Sequence, residues 1–135
     1  MLIDYIEIEN FKRFSKRQRI VFAHPSVLIG PNNCGKTSAI QALALWSLSV
    51  KTWRDLRSGS SAKDRTSAPI NRLAITSVPI PRTRLLWHQG RVRIGNKDIT
   101  MSITVGVLHD GVSKPLTMQF RNKGDELIYC DPDEQ

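Results

Sequence analysis

Eight consecutive residues, Gly30-Pro31-Asn32-Asn33-Cys34-Gly35-Lys36-Thr37, place two glycines, a lysine and a threonine at the spacing G-x-x-x-x-G-K-[ST]. That spacing suits one task, which is holding a polyphosphate together with a divalent cation. Gly30 and Gly35 allow a tight turn and let main-chain N–H groups approach phosphate with no Cβ in the way. Lys36 supplies an ammonium group for the β- and γ-phosphates, and the Thr37 hydroxyl is a ligand for Mg²⁺. Ser38 adds a hydroxyl towards the α-phosphate. Pro31, Asn32, Asn33 and Cys34 complete the loop whose amides form the cradle. The same residues also admit a plainer reading, a glycine-rich turn before a helix that binds nothing.

Such a loop works only between a strand and a helix, and both are expected. Ser26-Val27-Leu28-Ile29 is a short apolar run with the character of a buried strand. From Lys36 to about Leu56, Ala39, Leu43, Trp46, Val50 and Trp53 recur at steps of four and three, with Ile40, Leu45 and Leu48 widening the stripe. The helix directs its unsatisfied N-terminal N–H groups and positive dipole end at the loop. So broad an apolar surface predicts a sheet on one side and further structure on the other, with the tryptophans as core residues.

The remaining chain reads as strands and turns. Residues 1–9 alternate, with Ile6 and Ile8 on one face and Glu7 and Glu9 on the other, a half-buried strand. Asn10-Phe11-Lys12-Arg13-Phe14 forms a turn with two aromatic anchors, Ile20-Val21-Phe22 gives a second strand, and His24-Pro25 ends it. Residues 58–63 are small and polar, a surface loop, and Val78-Pro79-Ile80-Pro81 is an extended connector. Residues 91–94, 99–108, 115–121 and 126–130 are four strand candidates separated by short turns, which predicts an antiparallel meander. The organisation expected is one domain in three stretches: 1–56 with strands, loop and long helix, 57–84 as basic loop and connector, and 85–135 as meander.

At 135 residues and a net charge of +8, the chain is long enough for one modest core and strongly basic. Residues 51–97 hold eleven basic residues against only Asp55 and Asp64, a local excess of nine positive charges. Lys12, Arg13, Lys16, Arg17 and Arg19 form a second cluster. Such concentration fits DNA or another acidic partner, or else a solvated face. Cys34 and Cys130 match no metal spacing or C-x-x-C pattern and fit a reducing compartment. Cys34 reads as a small residue that fits the loop, and alternatively as a thiol activated by the helix N-terminus and Lys36. With no secretory segment and no apolar run long enough to cross a bilayer, the expectation is a soluble cytoplasmic protein.

Two motif-like stretches argue for nothing. Asn122-Lys123-Gly124-Asp125 matches the guanine-reading N-K-x-D, but no D-x-x-G accompanies it and hairpins precede it. Leu127-Ile128-Tyr129-Cys130-Asp131 has the outline of a Walker B strand, but Pro132 stands where the catalytic glutamate belongs.

Taken together, the Asn10 to Phe14 turn, the G-P-N-N-x-G-K-T spelling and the helix from Ala39 to Trp46 resemble AAA-family ATPases of the SMC, RecF and OLD-nuclease group, whose heads are ABC-like. Ile70-Asn71-Arg72, Val78 to Pro81, Leu85-Leu86-Trp87 and the stretch from Gln119 to Cys130 resemble one bacterial subfamily of it. The resemblance implies an α/β fold, the N-terminal lobe of a P-loop ATPase head, in which strand and helix join an antiparallel β-subdomain. It implies ATP and Mg²⁺, with phosphate contacts from Gly30, Asn33, Gly35 and Lys36 and the metal on Thr37. Lys12 and Arg13 correspond to a turn that approaches nucleotide or DNA, while Gln89 reads first as a surface glutamine and alternatively as the glutamine that senses Mg²⁺ and the γ-phosphate. In such heads two subunits sandwich ATP.

The departures are equally definite. No LSGG-like signature, Walker B Asp-Glu pair or switch histidine occurs in these residues, so no carboxylate steadies Mg²⁺ or activates water. The expectation is a fragment or a naturally short relative that binds ATP with little turnover, serving DNA repair or anti-phage defence. The rival is a non-catalytic module that binds nucleic acid or protein through its basic face.

Overall fold

In the computed structural model, residues 2–12, 14–21, 36–58, 67–76, 78 and 80–133 are described. Eight strands and one long helix occur among them: β1 (Leu2–Glu9), β2 (Gln18–Val21), α1 (Lys36–Ser58), β3 (Ala68–Asn71), β4 (Arg93–Ile94), β5 (Lys97–Asp98), β6 (Met101–His109), β7 (Val112–Asn122) and β8 (Leu127–Pro132). Six strands form one sheet in the order β2-β1-β6-β7-β8-β3, and every pairing in it is antiparallel. The strand expected at Ser26–Ile29, Phe22 and the turn at His24-Pro25 lie outside the described residues.

The alternation read from residues 1–9 is realised. Ile6 and Ile8 are fully buried and oppose Val105 and Ile103 on β6, which are buried with them. The same face continues through Met118, Phe120, Ile128, Cys130, Ala68 and Ile70. Helix α1 covers this face. Its 23 residues give a rod of roughly 34 Å, longer than the roughly 24 Å that separates the outer strands of a six-stranded sheet. It can therefore cross the whole sheet, and it touches β1, β6, β7, β8 and β3.

The buried line on α1 differs from the predicted stripe. Ala39, Ala42, Leu45, Trp46 and Ser49 face the core, while Leu43, Val50 and Trp53 flank it and Ile40 is exposed. Small residues at 39, 42 and 49 let the helix backbone approach the sheet, an advantage that hydrophobicity alone does not register. Ser49 is tolerated there because its hydroxyl donates to the Trp46 carbonyl at 2.7 Å. Of the helix tryptophans expected in the core, Trp46 is buried and Trp53 is partly buried against it. Trp87 is buried too, and both buried indole N–H groups are satisfied, Trp46 by the Leu116 carbonyl at 3.0 Å and Trp87 by the Ile99 carbonyl at 2.7 Å.

The meander has three strands, β6 to β8, where four were expected. β4 folds back on β5 through Gly95-Asn96 into a separate two-stranded ribbon held by the Arg93–Asp98 pair at 3.0 Å. Both strands are exposed, so no apolar face draws the ribbon onto the sheet. β3 was not expected as a strand and falls in the stretch read as basic loop and connector. It occupies the sheet's edge with Ala68 and Ile70 turned inward and Pro69 exposed, where a missing N–H costs no ladder bond. Pro115 lies inside β7 for a related reason: β8 pairs only from Met118 onward, so β7 has a free side at Pro115.

On the face away from α1, Tyr5 and Gly106 are register partners, and the Tyr5 ring occupies the space a side chain would take. A Cβ at Gly106 would stand 2.2 Å from a ring carbon. The Arg19 guanidinium lies 4.2 Å from the centre of the same ring. Gly106→Ala is expected to cost about 1–3 kcal/mol, read as a lower denaturation midpoint. In a Tyr5→Ala background most of that cost should vanish.

Candidate nucleotide-binding site

α1 begins at Lys36, so the lysine and threonine of the motif open its first turn. No acidic residue occupies that turn, so no carboxylate of the helix's own opposes an anion at its positive end. Ser38 follows, partly exposed. Gly30, Pro31, Asn32, Asn33, Cys34 and Gly35 lie outside the described residues, as does Arg13.

The second predicted element, the turn after β1, is described at Asn10, Phe11, Lys12 and Phe14. Phe11 and Phe14 are buried and exchange main-chain hydrogen bonds at 3.0 and 2.8 Å. Phe11 also bridges to Trp87, which is 1% exposed. Lys12, which makes no ion pair among the described residues, takes φ of 50°, and Asn10 takes 60°. Neither is glycine, so the chain is held in a region that L-residues rarely adopt. The holding comes from 86–100. The Lys12 N–H donates to the Leu86 carbonyl at 2.9 Å, and the His88 N–H donates to the Asn10 carbonyl at 3.2 Å. The Asn10 amide donates to the Thr100 carbonyl at 3.0 Å. His88 Nδ1 lies 2.6 Å from the Lys12 carbonyl oxygen, which makes it the protonated ring nitrogen. A cleft of about 180 Å³ opens beside this junction, lined by Asn10, His88, Arg91, Ile94 and Ile99.

The match to the model of the AAA ATPase domain covers residues 1–72, more than half of the 135 residues. The chain belongs to this family. The matched stretch carries β1, the Asn10 turn, β2, the phosphate-loop motif, α1 and β3. No curated protein matches the chain. For an AAA ATPase-like region the expected ligands are ATP and, usually, Mg²⁺. No helix among the described residues is long and apolar enough to cross a membrane.

Other residues weighed for function have structural duties. Asn122 uses its amide nitrogen on Thr83 Oγ1 at 2.9 Å and on the Gly124 carbonyl, while its oxygen accepts from the Gly124 N–H at 3.1 Å. It pins a turn and has nothing left for a guanine base. β8, the stretch with a Walker B outline, is antiparallel to both neighbours, and its Asp131 lies 3.9 Å from Arg121. Burial pushes the Asp131 carboxyl up, against the pull of Arg121. Gln89 is exposed at φ of 54°.

Charge is spent unevenly. In the N-terminal basic cluster, Arg19 bonds Glu7 at 2.8 Å and Arg17 lies 3.6 Å from Glu9, so those two cations are neutralised by β1. Arg72 pairs with Glu126 at 2.8 Å. Lys51, Arg54, Arg82, Arg84, Arg91 and Lys97 are exposed and make no ion pair among the described residues. Nothing in the sequence singles out His88, because a lone histidine between Trp87 and Gln89 fits no motif.

Cys130 is fully buried beneath α1, its sulfur 3.8 Å from the Ser49 carbonyl, and burial pushes its thiol up to about 12. Because the folded state binds this proton more tightly than the unfolded one, the thiol's contribution to stability is intact below the ordinary cysteine value near ~8.5 and declines as pH rises towards 12. In a Cys34→Ser background, Cys130 should therefore resist iodoacetamide at pH 8 in the native chain and react on addition of denaturant.

Proposed function

We propose that this AAA ATPase-family chain binds Mg·ATP at residues 30–38, as the N-terminal lobe of an SMC-, RecF- or OLD-like ATPase head. One observation carries the reading: the G-x-x-x-x-G-K-T spacing falls within the family match, and α1 begins at its lysine. Main-chain amides of residues 30–35 and the first turn of α1 hold the phosphates, and Lys36 neutralises charge on the β- and γ-groups. Thr37 and Ser38 offer hydroxyls, Thr37 to the metal. Bound Mg²⁺ would draw charge from the β- and γ-oxygens. Lys12 and Arg13 reach the same anion from the turn after β1.

These 135 residues carry no Walker B motif, an apolar strand ending in Asp-Glu, to hold the metal and activate water, so binding is their contribution and hydrolysis by them alone is slight. Pairing with a second head, or with a C-terminal ATPase half, supplies the missing groups. DNA repair or anti-phage defence in the cytoplasm is the setting this reading favours. Arg82, Arg84, Arg91, Lys51, Arg54 and Lys97, exposed and without an ion pair among the described residues, support DNA as the further partner. They equally support the second reading, a nucleic-acid- or protein-binding module whose loop is vestigial.

Calorimetry separates the two. The wild-type chain should bind Mg·ATP, and Lys36→Ala should lose measurable binding while melting at an unchanged temperature without nucleotide. Equal binding by Lys36→Ala refutes the site. A melting temperature indifferent to saturating Mg·ATP, with steeply salt-dependent DNA binding, favours the second reading.

A further inference from the structure

Tyr129 stands on the face of the sheet away from α1, since its neighbours Ile128 and Cys130 are buried on the face that the helix covers. In register it lies between Arg121 on β7 and Pro69 on β3. The ring is partly exposed, and the Lys123 ammonium lies 5.9 Å from its centre. A cleft of about 180 Å³ opens here, lined by Ser67, Asp98, Arg121, Asn122, Lys123 and Tyr129. Asp98 belongs to the β4–β5 ribbon, so the ribbon supplies one wall and the β7–β8 end of the sheet the other. The turn that carries Lys123 is pinned. Its N–H donates to the Leu127 carbonyl at 2.9 Å, and the Asn122 side chain is bonded to Thr83 and Gly124. Arg93 and Arg121 each face an aspartate, Asp98 at 3.0 Å and Asp131 at 3.9 Å. Lys123 is exposed and makes no ion pair among the described residues.

Each part of this set suits a different part of one nucleotide in a strand. An aromatic face stacks a base, and that contact needs a base out of the duplex stack. A free ammonium beside the ring meets the backbone phosphate. The Asp98 carboxylate and the Ser67 hydroxyl can accept N–H groups from a base edge. An acidic peptide would find Lys123 but would also meet Asp98 as a like charge. We propose that this cleft binds an unpaired nucleobase of single-stranded nucleic acid, with the base on Tyr129 and its phosphate on Lys123. The inference rests on nucleic acid as the further partner and is independent of the phosphate loop. Asp98, Lys123 and Tyr129 all lie beyond the family match, which ends at residue 72.

The test is fluorescence anisotropy of labelled oligothymidylate and oligouridylate with the full chain at low salt, against a DNA duplex of equal length. The wild-type chain should bind the single strands, and the tighter of the two shows whether the site takes DNA or RNA. Tyr129→Ala should weaken single-strand binding roughly five- to hundredfold. It should leave duplex binding unchanged, because a stacked base offers no free face. Tyr129→Phe keeps the ring and should bind like wild type. Lys123→Ala alters an exposed position, so it keeps the test alive if Tyr129→Ala does not fold. It should reduce the slope of log affinity against log salt by about 0.7 for the single strand. Wild-type single-strand affinity in folded Tyr129→Ala, an equal loss on the duplex, or an unchanged salt slope in Lys123→Ala overturns the inference. So does a wild-type chain that binds the duplex alone. A wild-type chain that binds neither form overturns nucleic acid as the partner, so the two failures are distinguishable.

Discussion

The β1–β6 ladder joins residues about a hundred positions apart, from Leu2 opposite Leu108 to Glu9 opposite Ser102. Everything else depends on that closure. It puts Ile6 and Ile8 beside Val105 and Ile103 to make the apolar floor on which α1 lies. It also fixes where β1 ends, and therefore where the Asn10 turn meets the segment around Trp87. Forming so distant a pairing costs chain entropy before any contact is gained. Burial under α1 offsets that cost, since Leu45 alone, with no exposed surface, contributes about 1.5–3 kcal/mol. Residues 1–72 match the family, but β1 cannot be covered on its second edge without β6, which lies beyond that match.

The two faces of the sheet solve different problems. The face under α1 is apolar and closely packed. The other face is polar and largely self-satisfied: Thr104 and Thr117 share a hydrogen bond at 2.7 Å, Glu7 and Glu9 engage Arg17 and Arg19, and Arg121 faces Asp131. Exposed ion pairs of this kind contribute little to stability. Their consequence here is electrostatic, because they remove two of the five N-terminal cations from any partner's reach. Among the described residues, exposed cations without an ion pair include Lys16, Lys51 and Arg54 on α1, and Arg82, Arg84, Arg91 and Lys97.

Where the sequence was legible, side-chain period and turn chemistry agreed. β1 was readable because Ile6 and Ile8 alternate with carboxylates, and the β6–β7 hairpin because Asp110-Gly111 supplies two positive-φ residues. α1 was readable in extent but not in rotation, since its core line runs through Ala42 and Ser49, residues that a hydrophobic stripe leaves out. β3 was hidden by Pro69, whose tolerance depends on an edge position that only the finished sheet defines. The β4–β5 ribbon misled in the other direction: its alternation is real, but no face of it is buried. At the proposed site, spacing alone singles out Lys36 and Thr37, and α1 begins at Lys36. His88 was invisible because its role comes from a contact spanning 76 positions, and spacing carries no information about such contacts.

The proposed nucleotide site rests on main-chain amides of residues 30–37 meeting a nucleotide's terminal phosphates. Titration of the ¹⁵N-labelled chain with a Mg²⁺-bound, non-hydrolysable ATP analogue addresses it directly. Large, saturable amide shifts are expected at Gly30, Asn33, Gly35, Lys36 and Thr37, with smaller ones at Lys12. Amides at those positions that stay unmoved while resonances elsewhere shift would contradict it.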